Sequence, residues 1–150
     1  MATVFDVAAY ILEKIGPVSA MKLQKLVYYS QAWALVWDEK PLFDEAIQAW
    51  INGPVVPALF NVHRGQFLVT RIPEGVSANL TASEKETIDA VLGYYGSKSS
   101  QYLSDLTHME RPWRDARADL PDTERGEKEI THAALSEYYG SLPPEAEVRL

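Results

Sequence analysis

The chain has 150 residues, 47% hydrophobic and 23% charged, with four Trp and eight Tyr, a length that buries a single-domain core without covalent staples. It has no cysteine, which excludes disulfides, Cys-ligated zinc and thiol catalysis and fits a cytoplasmic setting. Its net charge of -7 opposes general affinity for phosphate backbones, and no uninterrupted apolar run approaches the ~18 residues of a membrane span.

The charge is unevenly placed. Residues 1–117 carry 11 basic and 13 acidic side chains, and residues 118–150 carry 3 and 8. An acidic final stretch is most often a solvated surface; the other reading is that it meets a basic protein partner.

Thr3 is placed to cap a first helix, with Asp6 where a carboxylate favours the positive helix end. Val4, Ala8, Ile11, Leu12 and Ile15 share one face of it, and Gly16-Pro17 stops it. Ser19 opens a second helix, MKLQKLVYYSQAWALVW, with Val18 and Leu23 positioned as a hydrophobic staple. Its period puts Leu23, Leu26, Val27, Ser30, Ala34 and Trp37 on an inward stripe, and Lys22, Lys25 and Tyr29 are expected to look outward.

EAIQAWI fits a short helix or a strand, and NGPVVP dictates a turn followed by extended chain. A brief helix follows over Ala58 to His63, and FLVTRI allows one short strand. Thr81 and Glu84 form a capping box for a helix that runs through Ile88, Val91, Leu92 and Tyr95 to Gly96. Another spans about Ser99 to Met109, with Leu103 and Leu106 inward, and Pro112 suits the start of the next. Residues 118–129 read as a charged linker. Ile130, Thr131 and Leu135 then begin a last helix ending at Gly140, and residues 141–150 read as a loose, flexible tail. The expectation is one compact, mainly α domain over residues 1–140, with about six helices and at most one or two short strands.

LTHMERPWRDAR, residues 106–117, is the stretch that most suggests chemistry. Its H-x-E is half of a zinc deaminase signature whose other half needs cysteines. His63, His108 and His132 lie 45 and 24 residues apart, so none pairs at helical ligand spacing. Serine-nucleophile and phosphate-loop patterns are absent. His108 beside a carboxylate could serve as a general base, but a histidine that satisfies last-turn carbonyls is the commoner use. No catalytic residue, metal or cofactor is expected.

Helices over residues 4–37 resemble a helix-turn-helix that would offer Lys22, Gln24, Lys25 and Gln31 to a groove. Tyr28, Tyr29, Trp33 and Trp37 on the same helix suit a core or a protein surface better. A nucleic-acid-binding regulator is therefore the second reading. Protein recognition is the first: Tyr28, Tyr29, Trp33 and Trp50, with Pro54, Pro57 and Phe60, form an aromatic and proline-rich set of the hot-spot kind. One or two of these side chains are expected in a groove.

SAMKLQKLVYYSQAW, PLFDEAIQAWINGPVVPALF and YLSDLTHMERPWRDAR, in this order and spacing, resemble the Panacea domain, the family of SocA-like antitoxins and phage-associated GepA-type proteins. The resemblance runs from about Val4 to Tyr139 and rests on K-L-Q-K-L-x-Y-Y, A-W-x-x-G-P-V-x-P and L-T-H-x-E-x-P-W. It implies a mainly helical fold, no enzymatic activity, and an antitoxin that neutralises a cognate protein toxin, encoded by the adjacent gene, by direct binding. By position, Lys22, Leu23, Lys25, Leu26, Tyr28 and Tyr29 match the first motif. Trp50, Gly53, Pro54, Val55 and Pro57 match the second, and Thr107, His108, Glu110, Pro112 and Trp113 the third.

The partner-binding set expected from residues and resemblance together is Lys25, Tyr28, Tyr29, Trp33, Trp50, Pro54, Pro57, His108, Glu110 and Trp113. Exposed aromatics leave a homodimer open. A chain of this length is expected to hold the domain without an appended DNA-binding module. LTHMERPW itself reads as a helix-end corner. Leu106 would anchor it, His108 and Glu110 would bond to backbone or lysines, and Pro112 would restart a helix. Trp113 would wedge inward to brace a groove beside GPVVP.

Overall fold

The computed structural model describes residues 1–143; of the tail expected over residues 141–150, residues 144–150 lie outside the described residues. Thr3 accepts from the Asp6 amide and Asp6 from the Thr3 amide, which closes the capping box that starts helix α1 (Val4–Ile15). Ser19 caps helix α2 (Ala20–Trp37) by accepting from the Lys22 amide. After α3 (Pro57–His63) comes a 3-10 turn at Ser77–Asn79. A second capping box, Thr81 with Glu84, then starts α4 (Ala82–Tyr95). Helices α5 (Ser100–Met109), α6 (Arg111–Ala116) and α7 (His132–Gly140) complete the helical set of the described residues, α7 capped by Thr131.

The domain is mainly helical, and its strands are short but number five among the described residues. β1 (Val18–Ser19) pairs antiparallel with β4 (Leu68–Val69). β2 (Ile47–Trp50) lies between β3 (Gly53–Val55) and β5 (Glu129–Ile130), antiparallel to both, with Ile47 opposite Ile130. EAIQAWI is thereby settled as strand over Ile47–Trp50: it is too short to hold a helix alone, and the adjacent β3 and the distant β5 both supply ladder partners.

Helix α2 is the axis of the fold. It packs against α1, α3, α4, α5 and α7, and every residue from Leu23 to Leu35 is buried. The outward reading of Lys25 and Tyr29 is therefore corrected: both are interior. A period-based stripe presumes one wet face, and a helix enclosed by five others has none. Lys22 alone of the three is partly exposed. The polar residues of α2 are accommodated by bonding irregular backbone. Gln31 accepts from the Leu42 amide at 2.7 Å and donates to the Phe43 carbonyl at 2.8 Å. Of the four side chains assigned to a DNA groove, Gln24, Lys25 and Gln31 are buried, so α2 is not shaped as a recognition helix.

The charged linker is held to the domain at both ends, by the Ala49 amide donating to the Lys128 carbonyl and by the Arg117 side chain. Buried Arg117 donates to the carbonyls of Ala49, Pro121 and Glu124, which keeps β5 in reach of β2.

Candidate partner-binding site

Two buried charges organise the region where the three motifs meet. The first is Glu110, which ends α5 and begins α6. Its Oε1 accepts from the Tyr29 hydroxyl at 2.7 Å and the Tyr139 hydroxyl at 2.8 Å. Tyr139, its proton committed to Glu110, accepts from Tyr28 at 3.0 Å. Tyr29 stacks on Tyr95 with centroids 4.0 Å apart, and Trp33 donates to the Tyr95 hydroxyl at 3.1 Å. Burial pushes the Glu110 carboxyl up to about 6, and the two tyrosine donors pull in the opposite direction. Glu110 thus bonds tyrosines, where backbone or lysine partners were expected.

The corner braces the β2–β3 turn. Trp113 is buried and donates from Nε1 to the Trp50 carbonyl at 2.7 Å, while Ser104 donates to the Asn52 carbonyl at 2.8 Å. His108 stacks on Trp113 at 4.0 Å between centroids, and the Arg117 guanidinium lies 5.2 Å from the same ring centroid. Burial, then the neighbouring Lys25 cation, holds His108 below the usual histidine range. Neutral at physiological pH, it serves as a stacking plate. Its Nε2 is buried without a hydrogen-bond partner among the described residues.

The second buried charge is Lys25. It lines a cavity of about 200 Å³ between α2, α3 and the β2–β3 turn, together with Met21, Trp50, Ile51, Val55 and Phe60. Trp50 meets Phe60 edge to face at 5.0 Å, and its indole N–H is fixed on Gln48 at 2.8 Å. Gln24 accepts from the Val56 amide at 2.9 Å and donates to His63 Nε2 at 3.0 Å, so His63 is the neutral tautomer, as its burial-lowered pKa requires. Lys25 is only 1% exposed, and among the described residues it has no hydrogen bond and no carboxylate within ion-pair reach. Burial alone draws its ammonium down to about 8. The turn needs glycine here. Gly53 has φ 124°, and a Cβ on it would sit 2.5 Å from Lys25 Cε.

The ten expected partner-binding residues therefore separate. Tyr28, Tyr29, Trp33 and Glu110 are interior members of the tyrosine network, and Trp113 is a buried brace. Pro54 is buried in β3, while Pro57 opens α3 and His108 is half-buried. Lys25 and Trp50 meet at the cavity. Tyr139 and Arg117 are missing from that set, though Tyr139 stands four residues after Leu135 on one helix face, a spacing that signals an inward ring.

The family model for the antitoxin SocA-like Panacea domain matches residues 23–114, the span that holds Lys25, the β2–β3 turn and the corner. The chain belongs to this family. Antitoxin SocA from Caulobacter vibrioides (strain NA1000 / CB15N) is 31% identical over 137 residues, covering 80% of this chain and 72% of that relative. No solved structure matches the chain. In this Panacea domain the segments after residue 114 contribute as well, since Ile130 pairs with β2 and Tyr139 bonds Glu110. Among the described residues no helix is long and apolar enough to cross a membrane, and no group of three or more His, Asp or Glu is arranged to hold a metal ion.

Proposed function

We propose that the protein is a non-enzymatic antitoxin that neutralises a cognate protein toxin, encoded by the adjacent gene, through direct binding at the β2–β3 turn and its cavity. One observation carries this reading: the three motifs, far apart in sequence, converge on one turn. The first supplies Lys25, the second Trp50 and Val55, and the third the Trp113 and Ser104–Thr107 brace behind them. An apolar recess with one wall of half-exposed aromatics, held rigid from behind, is what a protein anchor side chain needs. The name of the Caulobacter relative points to the same role.

Co-expression with the adjacent gene tests it. The neighbour expressed alone should arrest growth, and this chain should restore growth and co-purify with it. Trp50→Ala should weaken both. A harmless neighbour, or rescue without a complex, overturns the proposal.

A further inference from the structure

Lys25 poses a problem that the fold does not solve for itself. A buried ammonium without a counter-charge costs stability, and a chain that needed only to fold would place an apolar residue of the same length there. Its side chain instead ends against Gly53, the one position in the turn where a Cβ would collide with it. The Thr107 hydroxyl lies against the same glycine, and the recess that Lys25 lines is walled mainly by apolar side chains, with Gln24, Asn52 and His63 as its other polar residues. The other titratable wall residue, His63, is neutral and already bonded to Gln24. Lys25 is thus the sole fixed charge among the residues that line this recess.

We propose that Lys25 is the anchor for an acidic side chain of the protein partner, seated in the cavity with its methylenes against Trp50 and Phe60 and its carboxylate on the ammonium. This rests on the direct-binding reading above. The volume, about 200 Å³, falls below the roughly 300–1,000 Å³ of small-molecule sites and suits a single side chain. A chain terminus is the poorer fit. It would bring a backbone amide needing a buried acceptor, whereas Gln24 is committed to Val56 and His63 and Asn52, the other amide side chain of the lining, is exposed to water. An aspartate or glutamate side chain brings only its carboxylate, so one ion pair satisfies both charges.

Two experiments decide it, and the first needs no toxin. The full chain is titrated with butyrate, which mimics a glutamate side chain, and with butyramide, following the amide signals of Asn52 and Gly53 by NMR. Butyrate should bind about tenfold more tightly than butyramide, the difference between a charged and a neutral hydrogen bond, and Lys25→Met should erase that preference. Equal binding of the two probes, or a preference that survives Lys25→Met, overturns the proposal.

The second experiment uses the toxin complex. Lys25→Met should raise the melting temperature of the free protein yet weaken toxin binding at least about 30-fold, as truncating one member of a desolvated charge pair does. Lower stability with unchanged affinity would make Lys25 a structural residue and end the idea. Should the wild-type chain neutralise no adjacent toxin, the direct-binding reading fails by itself, and the butyrate comparison still decides whether the cavity takes a carboxylate.

Discussion

Glu110 and Lys25 are both buried, and both have ionisation shifted towards neutrality by burial, yet their surroundings are opposites. Glu110 stands among donors: Tyr29 and Tyr139 bond it, and Tyr28, Tyr95 and Trp33 extend the network to α4. Lys25, one turn away on the same helix as Tyr29, has mostly apolar neighbours in its recess, no facing carboxylate, and no bonded acceptor among the described residues. The fold has already solved the problem that Glu110 presents, so Glu110 belongs to the scaffold. On the proposal above, the charge of Lys25 is left for the partner's carboxylate. Burial thus does not by itself separate structural from functional residues, and a missing bond alone does not either: buried His108 Nε2 and Arg117 Nε also lack partners among the described residues, yet both side chains brace the fold.

The sharpest way to break this contrast is Glu110→Ala. It orphans two interior hydroxyls and should destabilise the protein by about 3 kcal/mol in urea unfolding. A loss near zero would show that the tyrosines do not depend on the carboxylate. Lys25→Met should act in the opposite direction, gaining about 2 kcal/mol at pH 7. With its folded pKa about 8 against 10.5, Lys25 contributes stability that is fully present above 10.5 and lost as pH falls through about 8. The wild-type minus Lys25→Met difference in stability should therefore rise as pH increases from about 8.

Glu110→Gln keeps the acceptor for both tyrosines and isolates the charge. The folded pKa is raised to about 6 from 4.5, so this group's stabilisation is full below 4.5 and is lost as pH rises through about 6. Between those values the wild type should lose about 1–2 kcal/mol relative to Glu110→Gln, read from unfolding curves across pH 4–7. The smallest effect belongs to a charge in water. Arg111→Ala breaks the Arg111–Asp115 pair at 3.2 Å, whose side chains are 72% and 62% exposed, and should change stability by less than about 0.5 kcal/mol.

What the sequence made legible follows the range of the forces involved. The caps at Thr3, Ser19, Thr81 and Thr131 stand where residue chemistry put them, because a cap bonds an amide only three residues on. The inward wedge of Trp113 is readable from the Pro-Trp restart. By its pattern α2 has one dry face, because Lys22 and Lys25 look like surface residues, and only the number of helices packed around it shows otherwise. The strand at Ile47–Trp50 takes one neighbour from the adjacent β3, across the turn that NGPVVP dictates, while its second, β5, lies beyond the reach of any local pattern. Pairing Lys25 with Trp50 in one recess likewise requires the fold.

The placement of Tyr139 and Ile130 has a consequence for synthesis. Both follow most of the domain in sequence, yet one packs on α2 and the other pairs with β2 beside the β2–β3 turn. A nascent chain still lacking them exposes the tyrosines of α2 and leaves one edge of β2 open, and such surfaces recruit chaperones or proteases. Folding of the N-terminal elements is therefore incomplete until α7 and β5 have packed, and the interval between translation of Trp50 and of Tyr139 leaves those surfaces uncovered.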